Sequence, residues 1–83
     1  MICTFIKPER LKEFYTKHIE YGFSPIGHGA YQKIVSSYKR ITVWSTGKMS
    51  LYNRGSVVHD IPFDDIAKLV WDGLITKRTI EGE

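Results

Sequence analysis

Several features that define large protein classes are missing from this chain. Its 83 residues include one cysteine, Cys3, so no disulfide can form within the chain. No stretch approaches the roughly 18 apolar residues of a membrane-spanning helix, and no apolar run follows the first residue as a secretory signal would. We therefore expect a cytoplasmic protein with no membrane partner, because an unpaired cysteine is typical of reducing compartments.

Acidic residues are absent from the middle of the chain. The formal net charge is +3, yet none of the nine acidic residues lies between Tyr21 and His59. That stretch carries the basic residues Lys33, Lys39, Arg40, Lys48 and Arg54. Charges separated in this way predict one positive and one more acidic side of the molecule.

Spacings typical of metal ligands or catalytic groups are also missing. The cysteine and the three histidines, His18, His28 and His59, are too far apart in sequence to form a ligand pair, so we predict no metal and no cofactor. His59 precedes Asp60, but neighbours on a strand point to opposite faces, so the two would not meet. No catalytic residue is assigned, and a small enzyme would have to depend on His28 or His59.

The length allows one domain, which we place at residues 1–83. A chain this short buries only about 60–65% of its unfolded surface, so two independent cores do not fit. Any site must lie on a surface, in a shallow groove or at a subunit interface. Residues 75–83 show no strong periodicity and are predicted to form a flexible tail.

Two segments have the periodicity of amphipathic helices. The first runs from about Pro8 to Tyr21 and would end at Gly22, and residues 23–29 would form the loop that follows. The second covers residues 62–74, where Gly73 provides the stop. The residues expected to face the core are Leu11, Phe14, Tyr15, His18 and Ile19 in the first helix and Ile66, Leu69 and Val70 in the second.

Short apolar and β-branched runs predict the strands. Ile2–Ile6 is a candidate first strand, and Ala30–Ser37 begins the main sheet. Two glycine-ended turns, at 45–47 and 53–55, would separate three antiparallel strands at about 39–45, 48–53 and 56–61. With three-residue loops, the predicted pairs are Val43 with Met49, Ile41 with Leu51, and Leu51 with Val57.

Together these elements predict an α+β fold. The order is β-α-β-β-β-β-α, with an antiparallel sheet of three to four strands and both helices packed on one face. The inner face, beneath the helices, would hold Ile34, Ile41, Val43, Met49, Leu51 and Val57. The opposite, outer face would be open to solvent or to a partner and would hold Arg40, Thr42, Trp44, Lys48, Ser50, Tyr52 and Val58.

The outer face is the strongest candidate for a functional site. Binding is predicted at Arg40, Thr42, Trp44, Lys48, Tyr52 and Arg54. Because Trp, Tyr and Arg dominate binding hot spots, we interpret the chain as a non-enzymatic interaction protein, a small adaptor or inhibitor. Its partner would be a larger protein or protein–nucleic acid complex with an acidic surface, and a homodimer is a further option. Short, motif-free domains of this kind are similar to accessory proteins of phages and mobile elements.

Other interpretations of the outer face stay open. Nucleic acid requires cations for its phosphates and flat rings for its bases, so a nucleic-acid-binding module is the second interpretation. A small nuclease or other enzyme is the third. Cross-strand pairs of rings and cations also stabilise sheets that bind nothing, which is the plainest alternative.

The order of helix, three strands and helix over Pro8–Leu74 is similar to the double-stranded-RNA-binding-like fold and, more loosely, to HicA-type toxin ribonucleases. The resemblance implies binding or cleavage of RNA. Asp64 and Asp65 stand where the duplex binders have lysines, and Tyr31 and Gln32 stand where the toxins have a catalytic histidine. We therefore carry over neither activity and assign no family.

Overall fold

The computed structural model describes residues 1–81, which form seven strands and two short helices. The strands are β1 (Ile2–Ile6), β2 (Ser24–Gly27), β3 (Ala30–Ser36), β4 (Lys39–Val43), β5 (Met49–Asn53), β6 (Ser56–Val58) and β7 (Ile75–Thr79). The helices are α1 (Leu11–Lys17) and α2 (Ala67–Trp71), preceded by the 3-10 turns Pro8–Arg10 and Phe63–Ile66. The α+β class is confirmed, with more strands than the sequence pattern indicates.

The main sheet has five antiparallel strands in the order β2-β3-β4-β5-β6, so the predicted sheet of three to four strands was too small. The additional strand is β2, which was assigned to a loop because it contains Pro25 and Gly27. It lies at the edge of the sheet, and the register shifts between these two residues. Proline and a bulge are tolerated there because one side of an edge strand needs no backbone partner.

A second, two-stranded sheet pairs β1 with β7 in antiparallel register. The buried Thr4 ties it to the segment after β6. Its N–H donates to the carbonyl of His59 at 2.8 Å, and its Oγ1 accepts from the N–H of Ile61 at 2.9 Å. The predicted tail at 75–83 thus contains a strand over Ile75–Thr79, although residues 82 and 83 of that prediction lie outside the described residues.

Both helices are shorter than predicted. α1 ends at Lys17 rather than Tyr21, and the chain then turns and reaches Gly22 with a φ of 83°. Ile19, which was expected to face the core, therefore lies beyond the helix and is 78% exposed. The end of the second helix is as predicted, since Gly73 follows it in the left-handed region with a φ of 79°.

The hydrophobic core lies between the inner face of the main sheet and the two helices. The inner-face residues Ile41, Val43, Met49 and Leu51 form one buried cluster with Phe14 of α1 and Leu69 of α2. Phe14 is the centre of an aromatic group, with ring centroids 5.2–6.2 Å from those of Tyr15, Tyr21, Phe23 and Tyr31. Burial of these rings holds α1 against the sheet.

Arg10 fastens α1 to the end of α2. Its guanidinium binds both carboxylate oxygens of Glu13, at 2.7 and 2.9 Å, and donates to the carbonyls of Asp72 and Gly73. The hydrogen bonds from Arg10 are the main reason that the pKa of Glu13 lies below its usual value. Four hydrogen bonds within the fold thus hold this guanidinium in place.

The β4–β5 hairpin has the predicted register. Val43 lies opposite Met49 and Ile41 opposite Leu51, across the three-residue turn at 45–47. The glycine of this turn has a φ of 89°, the left-handed conformation that such a loop requires. All four apolar residues are buried, so this part of the inner face is confirmed.

The β5–β6 hairpin differs from the prediction by one residue. Arg54 and Gly55 form a two-residue turn, with φ values of 52° and 87°, instead of a three-residue one. Leu51 consequently lies opposite Val58 and not Val57. Because side chains alternate between the faces of a strand, this shift moves Val57 to the outer face and Val58 to the inner face.

Ile34 also lies on the other face from the one predicted. It pairs with Arg40 of the outer face, whereas Lys33 pairs with the buried Ile41. The register of β3 shifts between Ile34 and Ser36, close to the β3–β4 turn. A register set by a bulge cannot be read from the alternation of apolar residues, so the assignment of Ile34 to the core was wrong.

Tyr21 joins the turn after α1 to the end of α2. Its hydroxyl donates to Asp72 Oδ2 at 2.7 Å. Burial, together with this bond, raises the pKa of Tyr21 to about 12. Because the folded value lies above the ordinary tyrosine pKa of about 10, the linked stability is fully present below about pH 10 and is lost as the pH rises through 12.

We expect Tyr21→Phe to remove the highest-pH step from the tyrosinate absorbance titration of the folded protein. The ring still packs, so loss of the hydrogen bond should cost about 1 kcal/mol at neutral pH. Tyr38→Phe is the control, because Tyr38 is 50% exposed and its loss should leave that step in place. A step near pH 12 that survives in the Tyr21 variant would contradict the assignment.

Candidate interaction surface

Four residues form a continuous row across the outer face of β3, β4, β5 and β6. Ile34 pairs with Arg40, Arg40 with Tyr52, and Tyr52 with Val57. We call these four residues the outer row. Ile34 is 64% and Val57 49% exposed, so two aliphatic side chains flank an arginine and a tyrosine on an open surface.

Two arginines near this row lie on tyrosine rings. The Arg40 guanidinium carbon is 4.7 Å from the centre of the Tyr52 ring, and that of Arg54 is 4.4 Å from the centre of the Tyr38 ring. The backbone N–H of Arg54 also donates to the Tyr38 carbonyl at 3.0 Å, which ties the β5–β6 turn to the β3–β4 turn. Stacking of this kind contributes about 0.5–1 kcal/mol at exposed sites and restricts where the guanidinium points.

A shallow groove of about 410 Å³ opens between these two turns. It is lined by Ile34, Ser36, Ser37, Tyr38, Lys39, Arg40, Tyr52, Arg54 and Gly55. Both arginine–tyrosine pairs and one end of the outer row therefore contribute to a single concave surface. No carboxylate belongs to this lining, so the groove is basic and partly apolar.

The other end of the outer face carries Trp44 and Lys48. They are joined across the turn by the Trp44 N–H, which donates to the Lys48 carbonyl at 2.8 Å. The indole Nε1 of Trp44 donates to Ser50 Oγ at 3.2 Å, and Ser50 Oγ lies 3.2 Å from His59 Nδ1. Because Ser50 accepts from Trp44, its own hydroxyl proton can be donated to the imidazole.

The centre of the outer face is covered. Thr42 is 3% and Ser50 2% exposed. Thr42 therefore lies on the predicted face but offers no surface for contact. The remaining predicted binding residues fall into two groups: Arg40, Tyr52 and Arg54 at the groove, and Trp44 with Lys48 at the opposite end.

The five basic residues of the acid-free stretch do not all reach the outer face. Lys39 forms an ion pair with Asp65, with 2.9 Å between Nζ and Oδ1, and Lys33 occupies an inner-face position opposite Ile41. Arg40 and Arg54 form no ion pair with any residue in 1–81. Lys48, at the other end of the outer face, is likewise unpaired within residues 1–81, so two of the three unpaired cations of this face lie at the groove.

The histidines considered for catalysis lie apart from the groove. His28 has a φ of 55° in the turn between β2 and β3 and is exposed. His59 contacts Ser50 and not Asp60, whose carboxylate binds Lys77. Within residues 1–81, no three His, Cys, Asp or Glu side chains come together in a way that could hold a metal ion.

Ile34, Tyr38 and Val57 are among the residues of the groove and outer row that the sequence analysis missed. Ile34 and Val57 were placed in the core, because aliphatic residues in strands usually face inward. No sequence signal decided the face of Val57, because Gly55 suits the left-handed position of either a two-residue or a three-residue turn. Tyr38 lies at the β3–β4 turn, and its contact with Arg54 joins residues that no periodicity connects.

The chain matches no protein-family model, no curated protein and no solved structure. The helices found in the described part of the chain are too short, or too polar, to cross a bilayer.

Proposed function

We propose that this chain is a non-enzymatic interaction protein, a small adaptor or inhibitor that binds a larger protein through the outer row and the groove beside it. The observation that carries the proposal is the row of Ile34, Arg40, Tyr52 and Val57, which lies open on four adjacent strands. Arginine and tyrosine set among apolar groups are the residues that supply most of the energy of protein interfaces.

Electrostatics indicates the character of the partner. Arg40 and Arg54 have no carboxylate of their own, so an acidic surface on the partner would complement them. The proposal includes a cytoplasmic setting, which the single free Cys3 fits. An accessory role in a phage or mobile element is part of the same proposal and rests on chain size alone.

A protein fits this surface better than a nucleic acid does. Ile34 and Val57 would gain from burial against apolar groups and gain nothing from a phosphate backbone. Lys39 is paired with Asp65 and Lys33 occupies an inner-face position, which leaves Arg40, Lys48 and Arg54 as the cations of the outer face. Proteins that bind nucleic acid through its phosphates commonly neutralise about 6–10 of them.

The test compares Ile34→Glu with Ile19→Glu. Both replace an exposed isoleucine by an acid, but Ile19 lies beyond the end of α1 and outside the outer face. Tagged variants would be expressed in the source organism, and captured proteins would be quantified by mass spectrometry. We expect Ile34→Glu to lower capture of the specific partner at least about tenfold, and Ile19→Glu to change it less than about twofold.

The same experiment can reject the proposal. Equal capture by both variants would show that the outer row is not the interface. Captured material that is lost on nuclease treatment would favour the nucleic-acid interpretation. Thermal unfolding of both variants, followed by circular dichroism, confirms that neither substitution acts by unfolding the chain.

A further inference from the structure

The groove between the β3–β4 and β5–β6 turns contains two arginines that each lie over a tyrosine ring and form no ion pair with any residue in 1–81. We infer that it binds an acidic segment of the partner protein, with Arg40 and Arg54 each receiving a carboxylate and Ile34 contacting an apolar side chain between them. This inference rests on the proposed function and names the chemistry that the partner must present.

The geometry of the arginines is the first part of the argument. A guanidinium that lies over a ring, as Arg40 does over Tyr52 and Arg54 over Tyr38, keeps the N–H groups at its edge free to donate. Its planar fork matches the two oxygens of a carboxylate, and such bidentate pairs are among the stronger hydrogen-bonded contacts in proteins. The rings hold the forks in place before any ligand arrives, which lowers the entropy lost on binding.

The use of charge elsewhere in the molecule is the second part. The basic groups of Arg10, Lys39 and Lys77 are paired with Glu13, Asp65 and Asp60, respectively. Arg40 and Arg54 form no ion pair with any residue in 1–81, and the groove that they line contains no carboxylate. A carboxylate supplied from outside would give these two arginines the kind of partner that Arg10, Lys39 and Lys77 have within the fold.

An unused hydroxyl lines the same groove. Ser36 contributes to the groove wall, and its buried Oγ makes no hydrogen bond to any residue in 1–81. A buried polar atom without a partner is uncommon in folded proteins. Ser36 thus adds an unsatisfied polar group to the residues around the two arginines.

The size and lining of the groove favour a peptide over a nucleic-acid strand. A volume of about 410 Å³ accommodates a few side chains, and Ile34 makes part of its wall apolar. In an extended segment, side chains two residues apart point the same way, about 6.6 Å from each other. A segment of the form Glu-x-Ile-x-Glu therefore presents both carboxylates and the apolar side chain on the face turned to the groove.

The test uses NMR of the ¹⁵N-labelled full chain, with the arginine Nε–H signals resolved. The probe is the heptapeptide Ser-Glu-Ser-Ile-Ser-Glu-Ser, and the matched control replaces each glutamate by glutamine. We expect the Arg40 and Arg54 side-chain signals to shift saturably with the acidic peptide, and the glutamine peptide to bind at least about tenfold more weakly. Arg40→Gln with Arg54→Gln should lower the affinity by a similar factor.

Arg78→Gln is the control variant. Its guanidinium carbon lies 3.9 Å from the centre of the Phe5 ring, so it removes a stacked arginine from the other sheet and should leave peptide binding unchanged. A glutamine peptide that binds as tightly as the acidic one would overturn the inference. So would tighter binding of inorganic phosphate or of a deoxythymidine decamer at about 50–200 mM salt.

The outcomes for the two proposals can be separated. If the acidic peptide fails to shift the arginine signals while Ile34→Glu still loses the captured partner, the outer row is an interface and the carboxylate inference is wrong. If Ile34→Glu has no effect on capture, the proposed function itself falls, whatever the peptide does.

Discussion

Replacing Phe14 with alanine is expected to lower the free energy of unfolding by about 3–5 kcal/mol. The Phe14 side chain is 0% exposed, and the rings of Tyr21 and Phe23 lie 6.2 and 5.2 Å from it, centre to centre. Truncation removes the packing of α1 against the sheet and leaves a cavity that rigid rings cannot fill by small movements. For a domain of this size, a loss of this magnitude approaches the whole stability of the fold.

The control is Trp71→Ala, which removes a larger ring that is 89% exposed and should change stability by less than about 0.5 kcal/mol. Urea denaturation followed by circular dichroism measures both. If Phe14→Ala cannot be purified folded, Phe14→Leu keeps most of the volume and should cost about 1–1.5 kcal/mol. Equal stabilities of the Phe14 and Trp71 variants would show that the aromatic cluster does not anchor α1.

The substitution Gly47→Ala is expected to lower the free energy of unfolding by about 2–4 kcal/mol, the second largest effect after Phe14→Ala. Gly47 has a φ of 89°, where an L-residue with a side chain is strained by about 1–2 kcal/mol. A Cβ at this position would also lie 3.2 Å from the backbone carbonyl oxygen of Ile6, which cannot rotate away as a side chain can. Relief of that contact would push β1 from the β4–β5 turn, where the Ile6 N–H donates to the Gly47 carbonyl at 2.9 Å.

Gly55→Ala provides the matched comparison. Gly55 has nearly the same φ, 87°, but a Cβ there would meet nothing within 4 Å. We therefore expect Gly55→Ala to lower the free energy of unfolding only by the conformational strain, about 1–2 kcal/mol. The difference between the two variants, measured by denaturant unfolding, isolates the contact with β1. Identical losses would mean that backbone strain alone explains both.

The parts of the fold predicted correctly are those that local chemistry determines. The β4–β5 hairpin follows from a glycine at the left-handed position and from the apolar pairs that one loop length brings together. The stop at Gly73 follows from the same conformational freedom of glycine. In both places the residues that decide the structure are within a few positions of each other in the chain.

The parts that failed depend on distant or competing interactions. The partner of β7 is β1, at the other end of the chain, and Ile75–Thr79 has no periodicity of its own to indicate the pairing. The β5–β6 register depended on choosing between a two-residue and a three-residue turn around the same glycine. Both turns are compatible with the sequence Asn-Arg-Gly, and a one-residue difference reverses the face of every following side chain.

The candidate site was predictable in part for the same reasons. The pair Arg40 and Tyr52 follows from the β4–β5 register, and the structure adds that the guanidinium lies over the ring. The groove could not be predicted, because it forms where two turns approach each other and depends on the contact between Tyr38 and Arg54. Whether these residues bind a partner stays a prediction.

The contrast between the two tryptophans has an optical consequence. Trp71 is almost entirely in water, whereas Trp44 stands on the outer face with its indole nitrogen bonded to Ser50. Since the chain has only these two indoles, replacing Trp71 by phenylalanine leaves Trp44 as the single tryptophan fluorophore. Its emission wavelength and quenching would then report events on this side of the sheet without any attached dye.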